Sequence, residues 1–442
     1  MPPEGDFSQA ERLIALLDHL GLAAAHFGSA MPGDLAALAA AHPERIRGLV
    51  LCVPSRLDPA PFAALAPRLL MIGAEAGPSA GATARALRRL PQARRIVLAG
   101  YEAAGSWADA VADRTAEIAR AMIDFLGGIG GAGRPRVAAG EGSHAGITYR
   151  LAGQGPALLL LPFFLAPSQW EPALPRLCEH FTVVTLAGPH LGAVATLEDR
   201  ARMPTYRAMF ATLIDMMQPR AGEAILEVGC GAGSLVRLLA RRLGAANPIT
   251  AIDPNRYLLR EAASLTAAQG LDGGIRFLPG NAEALPFADG SFDCVFAVTV
   301  LEECDADRAI AEMLRVTRAG GRIGLVVRAL DMRQWWNLDV PQSLRDKLER
   351  PPYSVARNGV ADRSLYRRMR RAGLVDLVCF PMLVTLDRPG GPIWRNREDA
   401  VLSLLDPDEL PLWQRLRAEA ASEGLLLMAH PLHCAVGRKP VA

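Results

Sequence analysis

The chain has 442 residues, half of them hydrophobic, and a formal net charge of +2 with acids and bases interspersed. That length exceeds one ordinary core and points to two or three domains, while the charge balance gives no footprint for nucleic acid or an anionic membrane. No secretory signal is legible, the longest apolar run (157–165) is too short to span a bilayer, and the seven dispersed cysteines form no CxxC pair, so reduced thiols, no metal centre and a cytoplasmic location are expected.

In chain order, 9–20 reads as an amphipathic helix with Leu13, Leu16, Leu17 and Leu20 on one face. Buried strands are expected at 46–53, 68–72 and 95–98, and a second helix at 111–126. Short apolar strands between helices argue for a parallel sheet. A Gly-rich linker follows at 131–142. Strands resume at 146–151, 157–161 and 182–186, with one helix around 169–180 and another at 203–217.

From Ala221 the alternation becomes regular, with strands at 224–228, 248–252, 275–279, 292–298 and 321–327. Beyond Val327 the pattern breaks into a lid, 329–362, holding Trp335, Trp336, Tyr353 and several prolines. Arg350-Pro351-Pro352-Tyr353 reads as a lid turn. Strand signals return at 374–385 and 425–436. The insertion between them, 386–424, includes a helix capped by Asp406 with Pro407 in its first turn.

The chemistry concentrates in Glu227-Val228-Gly229-Cys230-Gly231-Ala232-Gly233. A strand ends near an acid and enters three glycines at alternate positions before a helix, which suits close approach of a nucleotide-type ligand. Asp253 ends the next strand, where a carboxylate accepts from ribose hydroxyls. The acid ahead of the glycines would repel a pyrophosphate and suits an ammonium or a positive sulfur. The third strand leads into Gly280-Asn281-Ala282-Glu283-Ala284-Leu285-Pro286-Phe287, followed by Ser291-Phe292-Asp293-Cys294-Val295.

These four elements in this order resemble the class I S-adenosylmethionine-dependent methyltransferases, in particular the branch with the quinone C-methyltransferases and small-molecule methyltransferases. The resemblance is strong over 215–330. It implies S-adenosyl-L-methionine as cofactor and S-adenosyl-L-homocysteine as product. Glu227, Gly229, Cys230, Gly231 and Gly233 would then line its methionine end, Asp253 would hold the ribose diol, and Pro254 would flank the adenine. Asn281, Ala282 and Glu283 would border the adenine, and Thr299 would face the methyl group. The family's His near Glu302 and Glu303 is absent, which leaves these two acids as candidate catalytic groups. Leu301, Trp335, Trp336, Tyr353 and Tyr366 are the candidate acceptor-pocket residues.

A second resemblance, to α/β-hydrolases, covers 9–127 and, out of order, 146–190. His42-Pro43-Glu44-Arg45-Ile46 looks like the segment after a nucleophile elbow, and Tyr149-Arg150-Leu151-Ala152-Gly153 with 157–162 like the front half of such a fold. The elbow glycines around Ser29 are replaced by Phe27 and Met31, Tyr101 stands where the His would, and Ala74 or Glu75 where the acid would. Both pieces are expected to share one rearranged sheet.

The fold expected is α/β: a seven-stranded Rossmann-like methyltransferase sheet over 203–442, preceded by a hydrolase-like parallel sheet from 1–130 and 143–202. The function implied is methyl transfer to a small, hydrophobic or aromatic acceptor. A non-catalytic cofactor-binding scaffold and a bifunctional hydrolase–methyltransferase are the alternatives. The implied partner is a small molecule, without nucleic acid or a membrane span, and a homodimer is compatible with this reading.

Overall fold

The computed structural model describes residues 7–102, 109–131, 133–137, 139–271, 273–350, 355–387, 389, 391–402, 404–406 and 408–441. They form two compact units, Met1–Ala195 and Thr196–Ala442, so the division falls ahead of the residue-203 boundary read from sequence.

The first unit is built on one eight-stranded sheet. Its strands are β1 (Ala25–Ser29), β2 (Ile46–Cys52), β3 (Leu69–Ala76), β4 (Arg94–Glu102), β5 (Gly140–His144), β6 (Ile147–Gly153), β7 (Ala157–Leu160) and β8 (Thr182–Ala187), in the spatial order β4-β3-β2-β1-β7-β8-β6-β5. β1 and β7 are direct parallel neighbours, with Phe27 opposite Leu159. The segments before and after the Gly-rich stretch therefore complete one sheet. β1 and β7 are buried along their whole length, as a parallel sheet covered on both faces requires. The expected linker ends inside β5. The helix expected at 169–180 is instead a 3-10 turn, Pro167–Trp170, and one short turn, Leu174–Leu177, because Pro172 and Pro175 cannot continue an i→i−4 ladder. The 111–126 helix breaks at Arg114 into Ala110–Asp113 and Thr115–Ile129.

The second unit has strands β9 (Ile225–Val228), β10 (Ile249–Asp253), β11 (Ile275–Pro279), β12 (Phe292–Val298), β13 (Thr317–Arg328), β14 (Trp335–Trp336), β15 (Val375–Leu386) and β16 (Met428–Arg438). Their order is β11-β10-β9-β12-β13-β16, with β15 beside β16 and the two-residue β14 also on β16. β9 to β13 are parallel, and β16 runs antiparallel to both β13 and β15. Strand periodicity splits the core in two. Cys294, Phe296 and Val298 of β12 join one apolar cluster, and Val295 and Ala297 join the other. Helix Ala306–Val316 covers the second cluster with Ala306, Ala309, Ile310, Met313 and Val316, and Asp305 caps its N-terminus by accepting from the Arg308 N–H.

The insertion between β15 and β16 holds two helices, Pro392–Leu402 and Leu410–Ser422. The second begins four residues after the expected cap: Asp406 pairs with Lys347, and its N–H donates to Glu409. Pro407 lies outside the described residues. Trp394 and Trp413, one from each helix, meet the Trp336 ring edge-on at 5.4 and 5.1 Å between centroids. This triad ties the insertion to the sheet through a large apolar area. Trp413→Ala is expected to lower unfolding stability by about 3–5 kcal/mol, measured by urea denaturation; a loss under about 1 kcal/mol would mean that the insertion is not packed as described.

Candidate functional site

The site forms at the C-terminal ends of β9, β10, β12 and β13, the edge where open parallel sheets bind ligands. Gly229, Gly231 and Gly233 have φ of +72°, +54° and +72°. Only glycine enters that region without strain. A side chain at 229 would also overlap Val300, and one at 233 would come within 3.0 Å of Phe277. Backbone N–H groups of Gly229 and Cys230 both donate to the Ile252 carbonyl. Asp253 Oδ2 accepts the Gly231 N–H at 2.8 Å and its Oδ1 accepts the Asn255 N–H at 2.8 Å. Behind the turn, the buried Arg237 donates to the Ala232 carbonyl and pairs with buried Glu198.

Glu227 is 2% exposed, and its Oε2 has no hydrogen-bond partner. Burial pushes its carboxyl up to about 8, with Asp253 adding to the shift against the opposing charges of Arg200 and Arg237. A buried acid with an unmet oxygen beside a glycine cradle is ready for a cationic ligand. Burial likewise raises Asp253. Cys230 is buried and its thiol is pushed far up, so it packs rather than reacts.

The remaining candidates divide. Pro254 is exposed just past Asp253. Asn281 Oδ1 accepts the Glu283 N–H at 2.9 Å, forming the turn that buries Ala282. The Glu283 carboxylate accepts the Asp305 N–H and pairs with Arg308, so it anchors a helix start. Thr299 has φ of +55°, and its Oγ1 accepts from Arg200 at 3.1 Å. Glu302 is fully buried: Oε1 accepts the Arg328 N–H at 2.7 Å and Oε2 has no partner, and burial raises its carboxyl. Glu303 is half exposed and pairs with the same Arg328.

Of the expected acceptor-pocket residues, Leu301 lies in the apolar core and Trp336 in the tryptophan triad, while Trp335 and Tyr366 are exposed. Tyr353 lies outside the described residues. The structure instead brings in residues that sequence reasoning missed. Arg200 stacks over Tyr206 at 5.6 Å, and the Tyr206 hydroxyl meets His430 Nε2 at 2.7 Å. His430 is buried, and desolvation, helped by Arg397, Arg200 and Arg328, holds its imidazole well below the usual range. A His in an apolar C-terminal strand, 224 residues from its partner, carries no local signal.

Residues 226–325 match the family model described as a methyltransferase domain. A ubiquinone/menaquinone biosynthesis C-methyltransferase UbiE from Hahella chejuensis is 35% identical over 128 residues, 29% of this chain and 51% of the relative. Its namesake from Marinomonas sp. is 36% identical over 105 residues, 24% of this chain and 42% of the relative. The chain spans about half the length of the curated relatives it matches. Among solved structures, the YcgJ protein from Bacillus subtilis aligns at 19% identity over 53% of this chain and all of its own, with a TM-score of 0.38. The motif-bearing segment is thus a class I methyltransferase domain, as its glycine turn and strand-end acids imply.

The raised carboxyl of Glu227 has a pH signature. Between its ordinary value of 4.5 and about 8, the unfolded chain holds fewer protons at this position than the folded one, so stability falls as pH rises through that window. Glu227→Gln is expected to flatten the decline in unfolding free energy across it; an unchanged slope in the variant would assign the charge to the folded state already.

Proposed function

We propose that this protein transfers a methyl group from S-adenosyl-L-methionine to a small organic acceptor. The observation that carries this reading is the pairing of an unmet buried carboxylate oxygen on Glu227 with a three-glycine turn held to Asp253. Glu227 faces the ammonium end of the cofactor, and the turn admits its backbone-close approach. Asp253 keeps acceptor capacity for a ribose diol, since each oxygen accepts one backbone N–H and carries two lone pairs. Asn281 and the buried Ala282 border the adenine. When bound, the cofactor supplies an activated methyl group on a sulfonium. This chain's own residues position the acceptor and exclude water.

Glu302 holds Arg328 through the latter's backbone and side chain, which is a positioning role. Where the acceptor must lose a proton, the His430–Tyr206 pair is the candidate by geometry, the Tyr206 hydroxyl meeting His430 Nε2 at 2.7 Å, although burial lowers the basicity of the imidazole.

The first unit reads as a hydrolase-like scaffold with its front and rear halves exchanged in chain order. Ser29 is fully buried, and its hydroxyl donates to the Met31 carbonyl and accepts the Met31 N–H. Its φ is not positive, so the strained elbow of a nucleophile is missing. Tyr101 is paired with Asp113. His26 is buried with neither ring nitrogen partnered, and burial lowers it to about 4. These features support a scaffold rather than a hydrolase.

Two measurements test these readings. In calorimetric titration S-adenosylhomocysteine is expected to bind, and Asp253→Ala to weaken it by about tenfold or more, about 1.4 kcal/mol; unchanged affinity would remove Asp253 from the site. A fluorophosphonate probe is expected to leave Ser29 unlabelled, and labelling there would restore the bifunctional reading.

A further inference from the structure

Two opposite charges flank the glycine turn without pairing. Glu227 lies on β9, where its register partner on β12 is Phe296, and its buried Oε2 has no hydrogen-bond partner. Just past the end of β12, Thr299 is fixed by its own N–H, which donates to the Val326 carbonyl at 2.7 Å. Arg200 Nη1 donates to Thr299 Oγ1 at 3.1 Å. The guanidinium and the carboxylate therefore belong to the same pair of strand ends.

Arg200 is presented there by a helical turn, 197–200, that is anchored on the cradle itself. Leu197 lies against Gly231, its Cδ1 only 3.1 Å from where a side chain at 231 would begin. Buried Glu198 pairs with Arg237 behind the turn. Asp199 Oδ2 accepts the Ile393 N–H at 3.2 Å. Arg237 and Arg328 are each satisfied by carboxylates. Half-buried Arg200 has instead the Thr299 hydroxyl and the face of Tyr206, 5.6 Å away. No carboxylate pairs with it among the described residues. The Thr299 bond uses one of the five N–H donors of a guanidinium. The Arg200 charge nonetheless reaches Glu227, whose ionised form it favours.

A partly desolvated guanidinium without a counter-ion and a buried carboxylate with a bare oxygen, flanking one turn, match a zwitterion. An α-amino acid carries its ammonium and its carboxylate on one carbon, and an Arg fork grips a carboxylate bidentately. We infer that Arg200 binds the α-carboxylate of the cofactor's methionine end while Glu227 takes its ammonium, so that the site selects a nucleoside sulfonium or thioether with an intact amino-acid end. This deepens the methyl-transfer reading and rests on it for the identity of the ligand. Arg200 precedes the residues 226–325 that match the family model, so the matched segment does not supply this contact by itself.

The test is calorimetric titration of the full chain, with no acceptor present, by S-adenosylhomocysteine, by its decarboxylated analogue, which keeps the amine, and by 5′-methylthioadenosine, which lacks both groups. S-adenosylhomocysteine is expected to bind about tenfold tighter than the decarboxylated analogue. Arg200→Gln is expected to weaken S-adenosylhomocysteine about fivefold or more while the other two ligands bind as before, and Arg200→Lys to keep part of the preference. Equal binding of S-adenosylhomocysteine and the decarboxylated analogue by the unaltered protein overturns the inference, whether or not a variant folds. An equal loss for every ligand in Arg200→Gln also overturns it, and makes Arg200 a prop for Thr299 and Tyr206. With no acceptor in the cell, a preference for the carboxylate belongs to the cofactor and not to an acidic acceptor. If none of the ligands binds, the methyl-transfer reading itself fails and takes this one with it; if all bind alike, this inference fails alone.

Discussion

The carboxylate of Asp253 joins the tip of β10 to the glycine turn leaving β9: one oxygen takes the Gly231 N–H and the other the Asn255 N–H. The Ile252 carbonyl beside it takes the N–H groups of Gly229 and Cys230. These bonds hold the three alternate glycines at positive φ: Gly229 and Gly231 are tied to the neighbouring strand, and the Gly233 N–H donates to the Cys230 carbonyl within the turn. Arg237, paired with Glu198 and reaching the Ala232 carbonyl, holds the turn from behind. The helix that starts at Ser234 is aimed by this frame. Glu227 is left buried with one oxygen unmet, because no donor of the frame reaches it.

How much of this was legible in the sequence follows from where each signal resides. The glycine turn, Asp253 and β11 and β12 are local: backbone conformation and two-face burial write themselves into adjacent residues, so Ile275–Pro279 and Phe292–Val298 are found where periodicity puts them. Features made by meetings across the chain were not legible. The Tyr206–His430 pair and the tryptophan triad join residues from distant segments. Trp336 reads as a pocket wall from composition alone, yet it has two indole neighbours that turn it into core. Glu283 reads as a cofactor neighbour, yet the N-terminus of helix Ala306–Val316 takes its carboxylate. The prolines at 172 and 175 did carry a local signal against a long helix there, and it outweighed the apolar spacing.

The acids and bases of the second unit sort by burial. Arg315, Arg318 and Arg333 are matched by carboxylates at or near the surface, where such pairs contribute little each. Around the buried His430, burial first and then the nearby charges of Arg397, Arg200 and Arg328 disfavour an imidazolium, while Arg328 is itself paired with Glu302 and Glu303.

The helix bearing Arg397 belongs to the connection between β15 and β16. Lengthening such a connection costs only slowly growing closure entropy, and the cofactor turn stands on different strands. Changes of length or sequence in this one connection can therefore accumulate while Asp253 and the glycine turn it holds stay as they are.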